Sequence, residues 1–244
     1  DTYESMLICD NKTVVLSPEE DKVKENSSIK LFKYSGVAIY KNMDKWIAIG
    51  CGLTGQNNRG GHSHNDKNSF ELNYKGNDFI VDGGSPIYTS NQNERNRFRS
   101  TYNHNTVFIE DLEQNKINKG YRGLFELKEE SKPELKIINS YSIQGSHDCY
   151  GSIHKRIFIF KKNQTIIEDE LIDIRNKYIN FNLAPNVKVI NLEVINNTNI
   201  NFTLTNNKSV SIYFNIIGCS ELKISEGAYS LGYRNIIKNK RITL

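Results

Sequence analysis

Three of the five histidines in this chain, His62, His64 and His104, fall between Asn58 and Ile109. They lie in the segments RGGHSHNDKNSFEL and RNRFRSTYNHNTVFI, which flank a short run ending in VDGG. In extended backbone, residues two apart point to the same face, so His62 and His64 would sit side by side. They are reached through Gly60-Gly61, a pair that permits unusual dihedrals. Asp82 ends the apolar run Phe79-Ile80-Val81, just before Gly83-Gly84, and His104 precedes Thr106–Ile109. If these strand ends converge, His64, Asp82 and His104 offer two imidazole nitrogens and a carboxylate. That set suits Zn2+ or another divalent cation, with a position left for water or substrate. His62 would then be free for proton transfer or substrate contact. The same residues could equally be strand-end side chains that bind nothing, and spacing alone does not choose between the two.

The elements that would position these residues read as strands. Thr13–Leu16, Gly36–Tyr40, Trp46–Gly50, Ser69–Tyr74, Phe79–Val81, Thr106–Ile109, Gly123–Leu127, Arg156–Phe160, Gln164–Asp169, Val187–Ile190 and Val210–Phe214 are short and rich in β-branched or aromatic residues. Gly, Asn, Asp and Ser punctuate them as turn formers. Phe70, Leu72 and Tyr74 alternate with Glu71 and Asn73, the period of a half-buried strand. Only Pro18–Lys24 and Ser90–Arg99 could hold short helical turns. The pattern predicts an all-β protein, a large antiparallel two-sheet sandwich. No linker divides the chain, so residues 1–244 read as one domain. From about Ile174 onward the strands are Asn-rich and read as outer sheet and scaffold.

Bulk composition narrows the function classes. The net charge of +4 comes from 32 basic against 28 acidic side chains, with no basic run of the kind that marks a nucleic-acid arm. No apolar segment is long enough to span a membrane as a helix. Cys9, Cys51, Cys149 and Cys219 are far apart and lack a CxxC pattern, which argues against a cysteine zinc site and for buried small residues. The chain opens with Asp1 and carries no signal peptide, as a processed or excised chain would.

The three elements GGHSHNDKNSFEL, VDGG and RNRFRSTYNHNTV, in this order, resemble the heparinase II/III-like domain of polysaccharide lyases, which is similar in heparinase II/III and oligoalginate lyases. Fainter likeness runs through HDCYGSIHKRIF and EGAYSLGY. The resemblance implies a C-terminal β-sandwich that works beside an N-terminal α/α toroid, a helical domain for which this chain has no pattern. It also implies that His64, Asp82 and His104 match metal ligands, that His62 faces the substrate cleft, and that Tyr88 lies where a substrate-contacting tyrosine is placed. Arg95 and Arg99 match basic positions that could bind a uronate carboxylate or sulfate through a planar fork, or could brace their own loop. His147 could line the cleft, His154 and Arg156 would sit on a strand, and Asp66 would have a structural role. The implied reaction is β-elimination on an acidic, uronate-containing polysaccharide, and the preferred role of the metal is structural, fixing His62. A binding or scaffold module without turnover, and a polysaccharide assembly or modification protein of the same fold, are the alternatives. Enzymes of this kind are commonly exported in bacteria, which implies a periplasmic or secreted location.

Overall fold

The computed structural model describes residues 4–10, 27–55 and 60–244, with side chains from residue 27 onward. The predicted strand Thr13–Leu16 and the helical turn Pro18–Lys24 lie outside the described residues. The regular structure among the described residues is mostly β. In order it forms β1 (Glu4–Asp10), β2 (Ser28–Phe32), β3 (Val37–Lys41), β4 (Lys45–Gly50), β5 (Ser69–Tyr74) and β6 (Asn77–Ile80). The helix α1 (Gln92–Arg99) and a 3-10 turn (Thr101–Asn103) follow, then β7 (Val107–Ile109) and the one-turn α2 (Gly120–Gly123). The remainder is β8 (Glu134–Asn139), β9 (Ser142–His147), β10 (His154–Phe160), β11 (Gln164–Leu171) and β12 (Lys177–Asn182). It closes with β13 (Val187–Asn196), β14 (Asn199–Asn206), β15 (Ser211–Ile217), β16 (Lys223–Gly232) and β17 (Asn235–Thr243).

One layer is an eight-stranded sheet in the order β13-β14-β15-β1-β11-β10-β9-β8. The other combines a five-stranded sheet, β2 through β6, with a four-stranded sheet ordered β16-β17-β12-β7. The two join where Ile80 bridges to Leu183, supported by Val81 N–H to Asn182 O at 3.0 Å and Ala184 N–H to Phe79 O at 3.0 Å. Pairing is antiparallel except at β1, which runs parallel to both β11 and β15 and so joins two antiparallel halves of the large sheet.

The layers form because every second side chain turns inward, and most of these are apolar. β4 and β10 alternate buried and half-buried positions along their whole length. Phe70, from the five-stranded sheet, meets Phe158 of the large sheet edge-on at 5.6 Å and Phe181 of the four-stranded sheet at 5.8 Å. Tyr40 stacks on Phe160 at 3.8 Å, and Phe202 on Phe214 at 4.9 Å. One apolar core thus joins all three sheets.

Two expectations are corrected. Gly123–Leu127 is not a strand: α2 and an irregular stretch replace it, because the carbonyls of Gly123 and Leu124 accept from arginine side chains and Leu127 O accepts from Gly60 N–H. The Asn-rich C-terminal part is not merely outer scaffold. Phe181, Ile200, Phe202, Phe214 and Ile242 are at most 1% exposed and lie at the centre of the core.

Candidate functional site

The site is made where three chain segments end at one place. β6 delivers Asp82 two residues past its last strand residue. There the carboxylate accepts from Gly84 N–H at 2.8 Å, closing a tight Asx turn. The turn requires both glycines. A Cβ on Gly83 would meet the Asn103 amide at 2.5 Å, and Gly84 has φ +75°. The 3-10 turn delivers His104, whose own N–H bonds to Thr101 O at 3.1 Å. The loop before β5 delivers His62 and His64.

Buried amides hold these segments in place. Asn105, next to His104, donates to Phe70 O at 2.9 Å and Val81 O at 3.0 Å, and accepts from Asn182 N–H at 2.7 Å. Asn65, next to His64, donates to Glu113 at 2.7 Å and Asn115 O at 2.8 Å and accepts from Asn115 N–H at 3.0 Å. Glu113 also accepts from the Thr101 N–H at 2.7 Å and hydroxyl at 2.8 Å, tying the two histidine loops together. Lys67, between them, pairs with Glu129 at 3.1 Å, both side chains 2% exposed. The turn at exposed Asp66 closes through its backbone carbonyl, which accepts from Ser69 N–H at 3.0 Å.

One donor atom from each of His64, Asp82 and His104 lies within 4.8 Å of the others. His104 is fully buried and its Nδ1 is 2.7 Å from Asp82 Oδ2. Its Nε2 is buried with no hydrogen-bond partner, an arrangement that normally calls for a ligand or a water. Burial, helped by the neighbouring His104, pushes His64 down to about 3. Burial opposes the charge on Asp82, but His104 holds its carboxyl below the usual carboxylate range. Burial also opposes the charge on His104, but the Asp82 carboxylate outweighs it and raises the imidazole. Metal ligation needs neutral imidazole and ionised carboxylate: His64 and Asp82 are pushed toward those states, His104 would release a proton on binding, and the donor set fits a divalent cation.

His62 is exposed and its ring meets Tyr88 edge-on at 5.5 Å, so the two residues expected to face substrate are neighbours. Arg95 stacks its guanidinium on the Tyr88 ring at 4.7 Å and on Phe125 at 5.3 Å. It is 2% exposed and donates to Leu124 O at 2.8 Å and Gly61 O at 2.7 Å. Arg99 is fully buried and donates to Asn96 at 3.0 Å, Leu124 O at 3.3 Å and Gly123 O. Both guanidinium groups brace the loops through these contacts.

His147 does not join this cluster. It is 1% exposed and its Nε2 lies 3.1 Å from His154 Nδ1, inside the large sheet. His154 reaches Asp169 at 2.8 Å, and Arg156 binds the same carboxylate through Nε at 2.7 Å and a terminal nitrogen at 2.8 Å. As expected, His154 and Arg156 lie on a strand, β10. Sequence reasoning missed the roles of Asn65, Asn105 and Glu113. The first two directly follow the ligand-type histidines, and an asparagine abutting each histidine was the available signal.

The family model described as Heparinase II/III-like, C-terminal, matches residues 24–244. No curated protein matches the chain. Among solved structures, a mutant of the heparan sulfate lyase HepC from Pedobacter heparinus aligns with TM-score 0.62 at 16% identity, over 90% of this chain and 34% of that one. A heparinase III gene product with methylated lysines aligns with TM-score 0.61 at 19% identity, over 90% of this chain and 33% of that one. A further heparinase III structure gives 0.60 at 17%, over 90% and 34%. At these identities the likeness establishes the fold, and the chain spans about a third of each of those proteins.

Proposed function

Because this chain belongs to the heparinase II/III-like C-terminal family, we propose that it forms one wall of the active site of a polysaccharide lyase acting on acidic, uronate-containing chains. The observation that carries this reading is the convergence of His64, Asp82 and His104 on one point, with exposed His62 packed against half-buried Tyr88 beside them.

In β-elimination a base removes the C5 proton of the uronate, the C4–O4 bond breaks, a C4=C5 double bond forms, and the departing O4 takes a proton. The site offers two groups for these transfers. An imidazole can take or give a proton near neutral pH, and a phenol beside it can complement that role. We assign these tasks to His62 and Tyr88. Arg95 acts behind them: its guanidinium lies on the Tyr88 ring and bonds to Gly61 O, next to His62. It thus fixes the spacing of the pair.

His64, Asp82 and His104 would hold a divalent cation, zinc by donor type. Such an ion would supply a fixed positive charge and bind three loops together. The role we assign it is structural, setting the backbone that presents His62. A helical domain of the same protein would supply the opposite wall, and a periplasmic or secreted location would fit a polymeric substrate. No helix among the described residues is long and apolar enough to cross a membrane.

The test is to incubate the full-length protein with heparan sulfate, alginate and other uronate polymers and weigh the products. Elimination gives fragments lighter by one water than hydrolysis would, with a new ultraviolet absorbance. His62→Ala and Tyr88→Phe should each lower kcat about 100-fold or more. Sugar binding without any cleavage would instead favour the non-catalytic binding module.

A further inference from the structure

The buried arginine of β10 touches both histidine loops. Arg156 is fully buried. One of its terminal nitrogens donates to Asn68 O and to Asn105 O, both at 2.8 Å. Asn68 closes the loop that carries His64, and Asn105 directly follows His104. The two hydrogens on one guanidinium nitrogen diverge in a fixed plane, so the carbonyls they meet are held about 5 Å apart. The rest of the guanidinium is fixed in turn. Its Nε and other terminal nitrogen form a fork on Asp169, whose Oδ1 also lies 2.8 Å from His154. Asn68 closes the ring of contacts: it has φ +60°, and its amide nitrogen lies 3.3 Å from His154 Nδ1. Gly145 leaves room for it, since a Cβ there would meet the Asn68 amide oxygen at 2.1 Å.

We propose that Arg156, locked by Asp169, is the positioning residue of the candidate metal centre, setting the distance between the His64 and His104 loops from the core beneath them. The inference rests on reading His64, Asp82 and His104 as metal ligands. It assigns the centre a support outside the three sequence motifs, on a strand of the opposite layer. A lysine at this place keeps the charge opposite Asp169, but it cannot fork onto the carboxylate and reach two carbonyls together.

The test is zinc affinity of the purified protein, measured by competition with a chromophoric chelator, alongside circular dichroism and thermal melts. The unaltered protein should bind one zinc, and His104→Ala should abolish binding. Arg156→Lys should weaken zinc about 10–100-fold, as loss of an outer support does. Asp169→Asn, which frees the guanidinium without removing it, should weaken zinc in the same direction and decides the matter if Arg156→Lys does not fold. Phe202→Leu, on β14, should lower the melting temperature without moving zinc affinity. Wild-type affinity in folded Arg156→Lys or Asp169→Asn would overturn the positioning role while leaving the metal centre standing. Equal weakening in Phe202→Leu at equal loss of Tm would overturn it too, as general loosening. No zinc on the unaltered protein would overturn both readings together.

Discussion

Replacing Asn105 by alanine should be among the most damaging changes a single small polar side chain can suffer in this protein. The residue is 1% exposed and its amide makes three bonds of 2.7–3.0 Å to β5, the end of β6 and β12. Each such bond contributes about 1 kcal/mol net, and a buried group left dry costs about 1–3 kcal/mol. The Asn182 N–H, inside a fully buried residue, is the group least able to find water. The expected loss is about 3 kcal/mol, rising toward about 5 if no water enters. For a chain of this size that lowers Tm by about 6–12 °C for the smaller figure. Asn105→Asp should be worse than alanine, because it aims a carboxylate at the carbonyls of Phe70 and Val81. The contact from Arg156 to the Asn105 carbonyl survives either change, so the two supports can be separated. Urea titration followed by tryptophan fluorescence gives the free energy. A loss below about 1 kcal/mol for Asn105→Ala would refute the claim that these three bonds knit the site together.

Acid should destabilise the fold in two stages. Burial holds His154 and His147 below their ordinary value. The unfolded chain therefore binds protons that the folded chain refuses, and stability declines as pH falls below about 6.5. Asp169 is pushed down to about 2 because Arg156 and His154 outweigh the opposing effect of its burial. Its contribution, about 2 kcal/mol, is full above about pH 4 and lost between about 4 and 2. Thermal melts across pH 2–8, repeated with Asp169→Asn, should show the lower stage vanish in the variant. Breaking the buried Lys67–Glu129 pair by Lys67→Met should cost about 3–5 kcal/mol, and adding Glu129→Leu should recover part of it. Gly83→Ala should both lower Tm and weaken zinc, since the added methyl strikes the Asn103 amide beside His104. The same melts with and without chelator check that pairing of effects.

The sandwich was legible because its strands carry the period-2 pattern where they face the core. β5 was predicted with its observed ends, and β4 to within a residue. Strands such as β9 (SIQGSH) and β12 (KYINFN) escaped notice because amides, hydroxyls and glycine occupy inward positions, where tertiary hydrogen bonds rather than apolar side chains satisfy burial. Asn180 and Asn182 are fully buried, bonded to Tyr102 O and Asn103 O at 2.6 and 2.7 Å. The three ligand-type residues could be picked out by type and by the turns around them. Their convergence depends on Asn105, Glu113 and Arg156, and these contacts cross up to 88 positions in sequence, as from Arg156 to Asn68. His147 shows the opposite failure. Its type suggested a cleft, but its register opposite His154 on β10 turns it into the sheet interior.

Three separated motifs would build one metal centre in this family member. Anomalous diffraction at the zinc absorption edge, from crystals of the protein grown with zinc and no chelator, tests it most directly. One strong peak is expected about 2.0–2.2 Å from a nitrogen of His64, a nitrogen of His104 and an oxygen of Asp82. A map without a peak there, or with zinc bound only elsewhere, would contradict it.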